Sequence, residues 1–331
     1  MERFALAAAV VLGFALTAAL CSLFVPLRRV LERREQNQQP VQLEQPRPAP
    51  LRAPLWGGLC AAAGTVAAVG VGWLAACVGQ PELLGSEGRL MTRLLTALAG
   101  SLAFGAVGLA EDLARMRSPA ALGLRRDVRL LLEALAAAFV LLLLRAAGCL
   151  PRGLGVPGAG YVLLGSAVPF LWAVLMVALA ECARIAERDE GTVCGAAFVA
   201  MLALMMAEAG LGVPGLAVLP AALAGALVAL GLWAFPPARL GVGCCGSLLA
   251  AGAIGCIPLS LDMTSLTVPL ALPFWAAGGL LAAQLLGAKR TGKPLRCWVK
   301  KHKMSPETVF LCSFALSAVG YVLALALLRW C

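Results

Sequence analysis

The sequence predicts an all-α, polytopic membrane protein of about ten transmembrane helices, and three observations carry that prediction. Hydrophobic residues make up 61% of the 331-residue chain and charged residues 13%, whereas a soluble protein is roughly 25% charged. The apolar residues are gathered into runs near the roughly 20 residues needed to cross a hydrocarbon core. The 27 Lys and Arg residues, against 17 Asp and Glu, lie mostly in short segments on alternate connections between those runs. The net charge of +10 is then a consequence of the positive-inside rule. Membrane lipids, and no nucleic acid, are the partners this charge distribution implies.

The first apolar run, residues 4–26, follows Met1-Glu2-Arg3 and is flanked on its far side by Arg28, Arg29, Arg33 and Arg34. It lacks a basic leader and a small-residue cleavage site, so it reads as a retained helix with its N-terminus outside. The polar, Pro-rich stretch EQNQQPVQLEQPRPAPLRAP over 35–54 reads as a cytoplasmic loop. Further spans are expected at about 55–77, 93–111, 127–147, 161–183, 191–211, 213–235, 243–260, 267–288 and 308–329. Only Gly210-Leu211-Gly212-Val213-Pro214 separates the sixth from the seventh, which implies a tight external turn.

Loop charge tests this count. Six basic residues lie at 28–52, five at 115–129, two at 184–188, one at Arg239 and seven at 289–303, together 21 of the 27. An even number of spans puts all of them inside and both termini outside. The expectation is a single transmembrane domain, 1–331, with cytoplasmic loops at 28–54, 112–127, 184–191, 236–242 and 289–307, and with any active-site-like face cytoplasmic. The twelve cysteines mostly lie within apolar runs, among them Cys21, Cys60, Cys77, Cys194, Cys256 and Cys312. They show neither metal-ligand spacing nor a disulfide framework.

Four features on that face carry chemistry. Glu111 and Asp112 end the third span and are followed by Arg115, Arg117, Arg125, Arg126 and Arg129; carboxylates near bilayer depth usually face a cavity or a partner, although Asp112 and Arg115 also have the spacing of a salt-bridged helix end. In ECARIAERDEG, a continuing helix would place Glu181, Arg184, Glu187 and Glu190 at successive three-residue steps along one side, which a simple salt-bridge ladder also explains. PPARLGVGCCGSLLAAG breaks one helix at Pro236-Pro237 and opens the next through Gly241, Gly243 and Gly246, a turn that can offer backbone N–H groups to phosphate. KRTGKPLRCWVKKHK is a basic loop whose positive charge holds it inside; its His302 is the chain's one histidine.

The order and spacing of these pieces resemble the phospho-N-acetylmuramoyl-pentapeptide transferase family, polyprenyl-phosphate phosphoglycosyl transferases of the glycosyl transferase family 4 type. Pro54-Leu55-Trp56-Gly57-Gly58 resembles the family's GTPTMGG. VGLAEDLAR is similar to GFxDDxxK, with Glu111, Asp112 and Arg115 at the Asp, Asp and Lys positions, and the LGLRRDVRLLLEAL that follows is similar to the family's LGL segment and basic fourth helix. RIAERDEG falls on NLTDGLDG, with Arg184 at the Asn and Glu187 and Glu190 at its acids. PARLGVGCCGSLLAAG falls on PAKVFMGDTGSLALGG, and PLRCWVKKHKMSPETV on the segment with three consecutive histidines.

The resemblance implies a ten-helix enzyme of the bacterial plasma membrane, multi-pass. In it the phosphate of a polyprenyl carrier, undecaprenyl phosphate, attacks a UDP-sugar, Mg²⁺ bridges the diphosphate, and UMP leaves as a peptidoglycan lipid intermediate forms. It assigns Glu111, Asp112, Glu187 and Glu190 to a catalytic acidic centre and Arg115, Arg184 and Arg296 to substrate phosphates. The departures are specific. Cys244 stands at the family's magnesium-ligand Asp, Gly241 at the aromatic that stacks on uracil, Pro50 at a lysine, and Arg296, Cys297 and Trp298 at the histidines. A thiol is a poor ligand for Mg²⁺.

Two readings stay open at this level. One is a divergent homologue with impaired or absent catalysis, a pseudoenzyme that binds polyprenyl phosphate or a partner membrane protein, a second copy of itself included. The other is an active phosphoglycosyl transferase with altered substrate or metal use. A transporter has little support, since no inverted repeat or mid-span charge stands out.

Overall fold

The computed structural model describes residues 2–38, 56–79, 88–117, 123–151, 153–156, 160–163, 165, 167–187, 191–213, 215–235, 239–286 and 306–330. The helices are α1 (Glu2–Gln38), α2 (Gly57–Gly79), α3 (Gly88–Arg117), α4 (Arg126–Ala146), α5 (Ala167–Ala186), α6 (Thr192–Gly210), α7 (Val218–Ala234), α8 (Gly243–Ser260), the single turn α9 (Thr267–Leu270), α10 (Leu272–Leu286) and α11 (Pro306–Trp330). By length and composition seven stretches suffice to cross a membrane: Phe4–Val25, Gly57–Val78, Leu90–Arg117, Ala167–Ala186, Thr192–Gly210, Gly243–Ser260 and Glu307–Leu328. The all-α polytopic class is borne out. Three elements fall short of that standard, because α4 opens on Arg126, Asp127, Arg129 and Glu133 and because α7 and the described part of α10 have 17 and 15 residues.

Several boundaries differ from expectation. Residues 161–163 begin no helix. They form β2 (Gly160–Leu163), antiparallel to β1 (Gly153–Val156) with Gly153 opposite Leu163, because glycines at 153, 155, 158, 160 and 165 and Pro157 deny the helix its propensity. The ninth expected span is broken, with a 3₁₀ turn at Thr264–Leu266, then α9, then α10; Pro269 and Pro273 lack the N–H groups that a continuous ladder needs. Parts of four expected inner loops are helical: 28–38 continues α1, 112–117 continues α3, 184–186 continues α5 and 306–307 opens α11. Charge does not end a helix whose backbone bonds are satisfied internally. The remainder of the first and last inner loops, 39–54 and 289–305, lies outside the described residues.

Helix α8 is the axis of the bundle, and every one of its residues is buried. Lipid is as apolar as leucine, so the helices associate through close packing, which favours small residues at contacts. A Cβ on Gly108 of α3 would strike the Cys244 carbonyl, and one on Gly58 of α2 would strike the backbone of Gly246. On the far side Gly255 makes room for Met176 of α5, and Trp172 donates its indole N–H to the Gly255 carbonyl at 3.2 Å. Helices α2, α3 and α5 thereby converge on α8, while α11 lies at the periphery, where Phe310 meets Phe235 edge-on at 5.4 Å.

Candidate functional site

One end of this bundle gathers the N-terminus of α8, the C-termini of α3 and α5 and the N-terminus of α4. The first N–H groups of a helix have no partners within it. Residue Val242 at the N-cap of α8 supplies no side-chain hydrogen bond, and the partner comes from α3. The backbone N–H groups of Cys244 and Cys245 donate to Oδ1 and Oδ2 of Asp112 at 3.0 and 2.9 Å. Asp112 is fully buried, and its charge lies on the positive end of the helix dipole.

Around this clamp lies a network of five carboxylates and three guanidiniums. Arg115 Nη2 donates to Glu111 Oε1 at 2.6 Å, and Arg115 Nη1 lies 3.9 Å from Asp112 and 3.7 Å from Glu187. Arg129 of α4 donates through Nε to Glu181 Oε1 at 2.7 Å and lies 3.7 Å from Glu111 and 4.0 Å from Glu133. Arg184 donates to Glu181 Oε2 at 2.6 Å. The network joins three helices, and little of it is wet: Arg115 has a side chain 17% exposed and Arg129 7%. Isolated buried charges are costly, so removing one partner of such a pair typically costs about 3–5 kcal/mol.

Of the residues singled out in the sequence, Glu111, Asp112, Glu187 and Arg115 are brought together. Arg184 joins them through Glu181 and Arg129. Glu190 and Arg296 lie outside the described residues. The expected four-step ladder stops after its first pair: α5 ends at Ala186, Glu187 closes a turn on the Ala183 carbonyl at 2.9 Å, and Gly191 has φ +79° before α6 begins. Glu187 is thereby free of the helix axis and reaches Arg115. The two glycine motifs also meet, since a Cβ on Gly57 would lie 2.5 Å from the Gly241 carbonyl oxygen.

Sequence reasoning missed Arg129, Glu133 and the backbone of Cys245 as parts of this centre. It also found no mid-span charge, yet Glu133 is fully buried in α4, two turns in from Arg126. The signal was present as Arg129 and Glu133 at i,i+4 on an otherwise apolar helix.

The family model for glycosyl transferase family 4 matches residues 94–262, just over half of the chain and nearly all of α3 through α8. The chain belongs to glycosyl transferase family 4. A stretch of 212 residues is 30% identical to the phospho-N-acetylmuramoyl-pentapeptide-transferase of Synechococcus sp. (strain RCC307), covering 63% of this chain and 55% of that protein. The chain thus spans about half the length of the curated relative it matches. Every described residue of the acid–arginine network falls within the family match, so the network is built on family 4 helices. With its apolar helices, the chain is a multi-pass protein of the plasma membrane.

The described residues do not fit magnesium. Mg²⁺ takes near-octahedral oxygen ligands at about 2.0–2.1 Å, and among the described residues no three His, Cys, Asp or Glu side chains are placed to hold a metal ion. Both Asp112 oxygens already accept N–H groups, and the Cys244 side chain is buried beside the clamp. What the arrangement offers is guanidinium: Arg184 keeps a buried Nε with no hydrogen-bond partner, and guanidinium forks suit phosphate oxygens.

Proposed function

We propose that this member of family 4 binds a polyprenyl phosphate carrier at an arginine-lined cytoplasmic face and does not perform magnesium-dependent transfer from a UDP-sugar. The observation that carries this reading is the clamp at α8. The resemblance places Asp112 in an acidic centre and a second Asp at position 244, and here Asp112 is spent as the cap of the helix on which Cys244 sits. A carboxylate with both oxygens committed to backbone N–H groups is poorly placed to coordinate an ion or take a proton. Phosphoryl transfer depends on positioning and charge stabilisation, and those are the terms that Cys244 and the clamp remove.

The orientation is part of the proposal. Ten crossings, with both termini outside, bring the inner basic segments and the acid–arginine network to the same face, in keeping with the positive-inside rule. The alternative, an active transferase with altered metal use, draws on Glu111 and Glu187; these face Arg115, which favours the binding reading.

Retention of undecaprenyl phosphate by the purified chain, followed by native mass spectrometry, tests the reading. Binding of the phosphate and not of the uncharged alcohol is expected, unchanged by EDTA, with Arg184→Gln weakening it about tenfold or more for a lost charge-assisted bond of about 1.5–3 kcal/mol. Equal retention of alcohol and phosphate would sink it.

A further inference from the structure

Helices α1 and α2 pack antiparallel along a single register. Phe24 stacks on Trp56 at 5.7 Å with the ring planes 10° apart, a Cβ on Gly64 would lie 3.3 Å from Thr17 Cα, and one on Gly72 would lie 3.0 Å from Ala9 Cβ. Between the first two of these contacts, about one turn from each, the same register sets Cys21 of α1 against Cys60 of α2. Both are free thiols, 0% and 1% exposed, and their side chains are hydrogen-bonded to one another. Gly64 brings the two backbones nearly into contact one turn away. Backbones this close suit a disulfide, whose Cα atoms stand about 4.4–6.8 Å apart.

A single buried cysteine packs as a small hydrophobe, but two further features set this pair apart. It is shallow: Cys60 is the fourth residue of α2, and the Phe24–Trp56 stack, only partly buried, lies one turn nearer the same end. Thr17, one turn from Cys21 on the same stripe of α1, keeps a buried hydroxyl with no hydrogen-bond partner, a donor for an oxygen atom entering the seam.

We propose that Cys21 and Cys60 form an oxidation site, a dithiol that hydrogen peroxide, small and neutral, converts to a disulfide joining α1 to α2. One sulfur attacks the peroxide; an S–O bond forms, the O–O bond breaks and water leaves, giving a sulfenic acid. The second sulfur displaces the hydroxyl group, which departs as water with that thiol's proton. Two thiols and one peroxide thus give one disulfide and two waters. The product is uncharged, whereas a sulfinate would leave a costly charge in the seam. The bridge fixes α2, whose Gly58 packs against Gly246 at the start of α8. This inference does not rest on lipid binding.

The test treats the purified full chain with hydrogen peroxide and maps its cysteines by non-reducing peptide mass spectrometry. A Cys21–Cys60 cross-link, lighter by two hydrogens and reversed by a small phosphine, is expected, with a thermal midpoint about 5 °C or more above that of the reduced chain. Glutathione disulfide, bulky and charged, should leave the pair reduced; bridging by it as readily as by peroxide would overturn the choice of oxidant. Cys21→Ser and Cys60→Ser should abolish the cross-link, and the wild-type map decides the case even where a variant does not fold. Oxygen retained on Cys21 or Cys60, or a bridge from either to the neighbouring Cys194 or Cys245, overturns the proposal. So does a pair still reduced when the exposed Cys312 has been oxidised, or a bridge that lowers the midpoint.

Discussion

At Asp112 two roles compete for one carboxylate, and the distances decide between them. Oxygens 3.0 and 2.9 Å from the Cys244 and Cys245 N–H groups make Asp112 the cap of α8. Asp112→Ala leaves two buried N–H groups unpaired, each costing about 1–3 kcal/mol, so a large drop in thermal midpoint is expected; Asp112→Asn keeps one acceptor and should lose less than half as much. If Asp112 were instead a dispensable remnant of a metal site, both variants would melt like wild type. Arg129 tests the network in the same way. Arg129→Met strands Glu133 and leaves Glu181 with Arg184 alone, and should cost about 3–5 kcal/mol, whereas Arg129→Met combined with Glu133→Leu removes opposite charges together and should recover part of that loss in a double-mutant cycle.

At the scale of the element, the site exists because glycines let helices approach α8 closely. Gly108→Val would drive a side chain into the Cys244 carbonyl and is expected to destabilise by about 1–3 kcal/mol or more through overpacking. Gly70→Val in α2, where a Cβ meets nothing within 4 Å, should leave the thermal midpoint close to wild type; equal losses at both positions would refute this account of the contact. The positions of the helices were legible because apolar runs of nearly membrane length leave few other choices. The hairpin after α4 and the break at α9 were less so. Pro157, Pro269 and Pro273 lie inside apolar stretches, and hydropathy does not register a missing N–H. The convergence of Glu111, Asp112 and Glu187 followed from placing charged helix ends on one face. Arg129 and Glu133 were missed because charge inside a span was treated as topology, and the hydrogen bonds from Cys244 and Cys245 were illegible because they belong to the backbone, not to side-chain type.

For the whole molecule, the account joins a family 4 helical scaffold to a centre in which arginines stand against carboxylates. The proposed ten-crossing topology puts residues 40 and 300 on one cytoplasmic side; if it holds, cysteine-accessibility labelling in intact cells should leave both protected and make both reactive only after permeabilisation. Labelling of one but not the other in intact cells would break the topology. The central claim is that this scaffold no longer supports magnesium-dependent phosphoglycosyl transfer, and Cys244 is its sharpest mark. Cys244→Asp alone should not restore transfer, because Gly241 and the stretch Arg296 to Trp298 also depart from the family pattern, and residues that act as a unit are strongly non-additive. The most direct measurement is release of UMP from UDP-N-acetylmuramoyl-pentapeptide by the purified, unmodified chain with undecaprenyl phosphate, with and without Mg²⁺. The account predicts no release above the protein-free rate in either condition; robust turnover that requires Mg²⁺ would contradict it and would show that Glu111, Asp112 and Glu187 hold the ion despite Arg115.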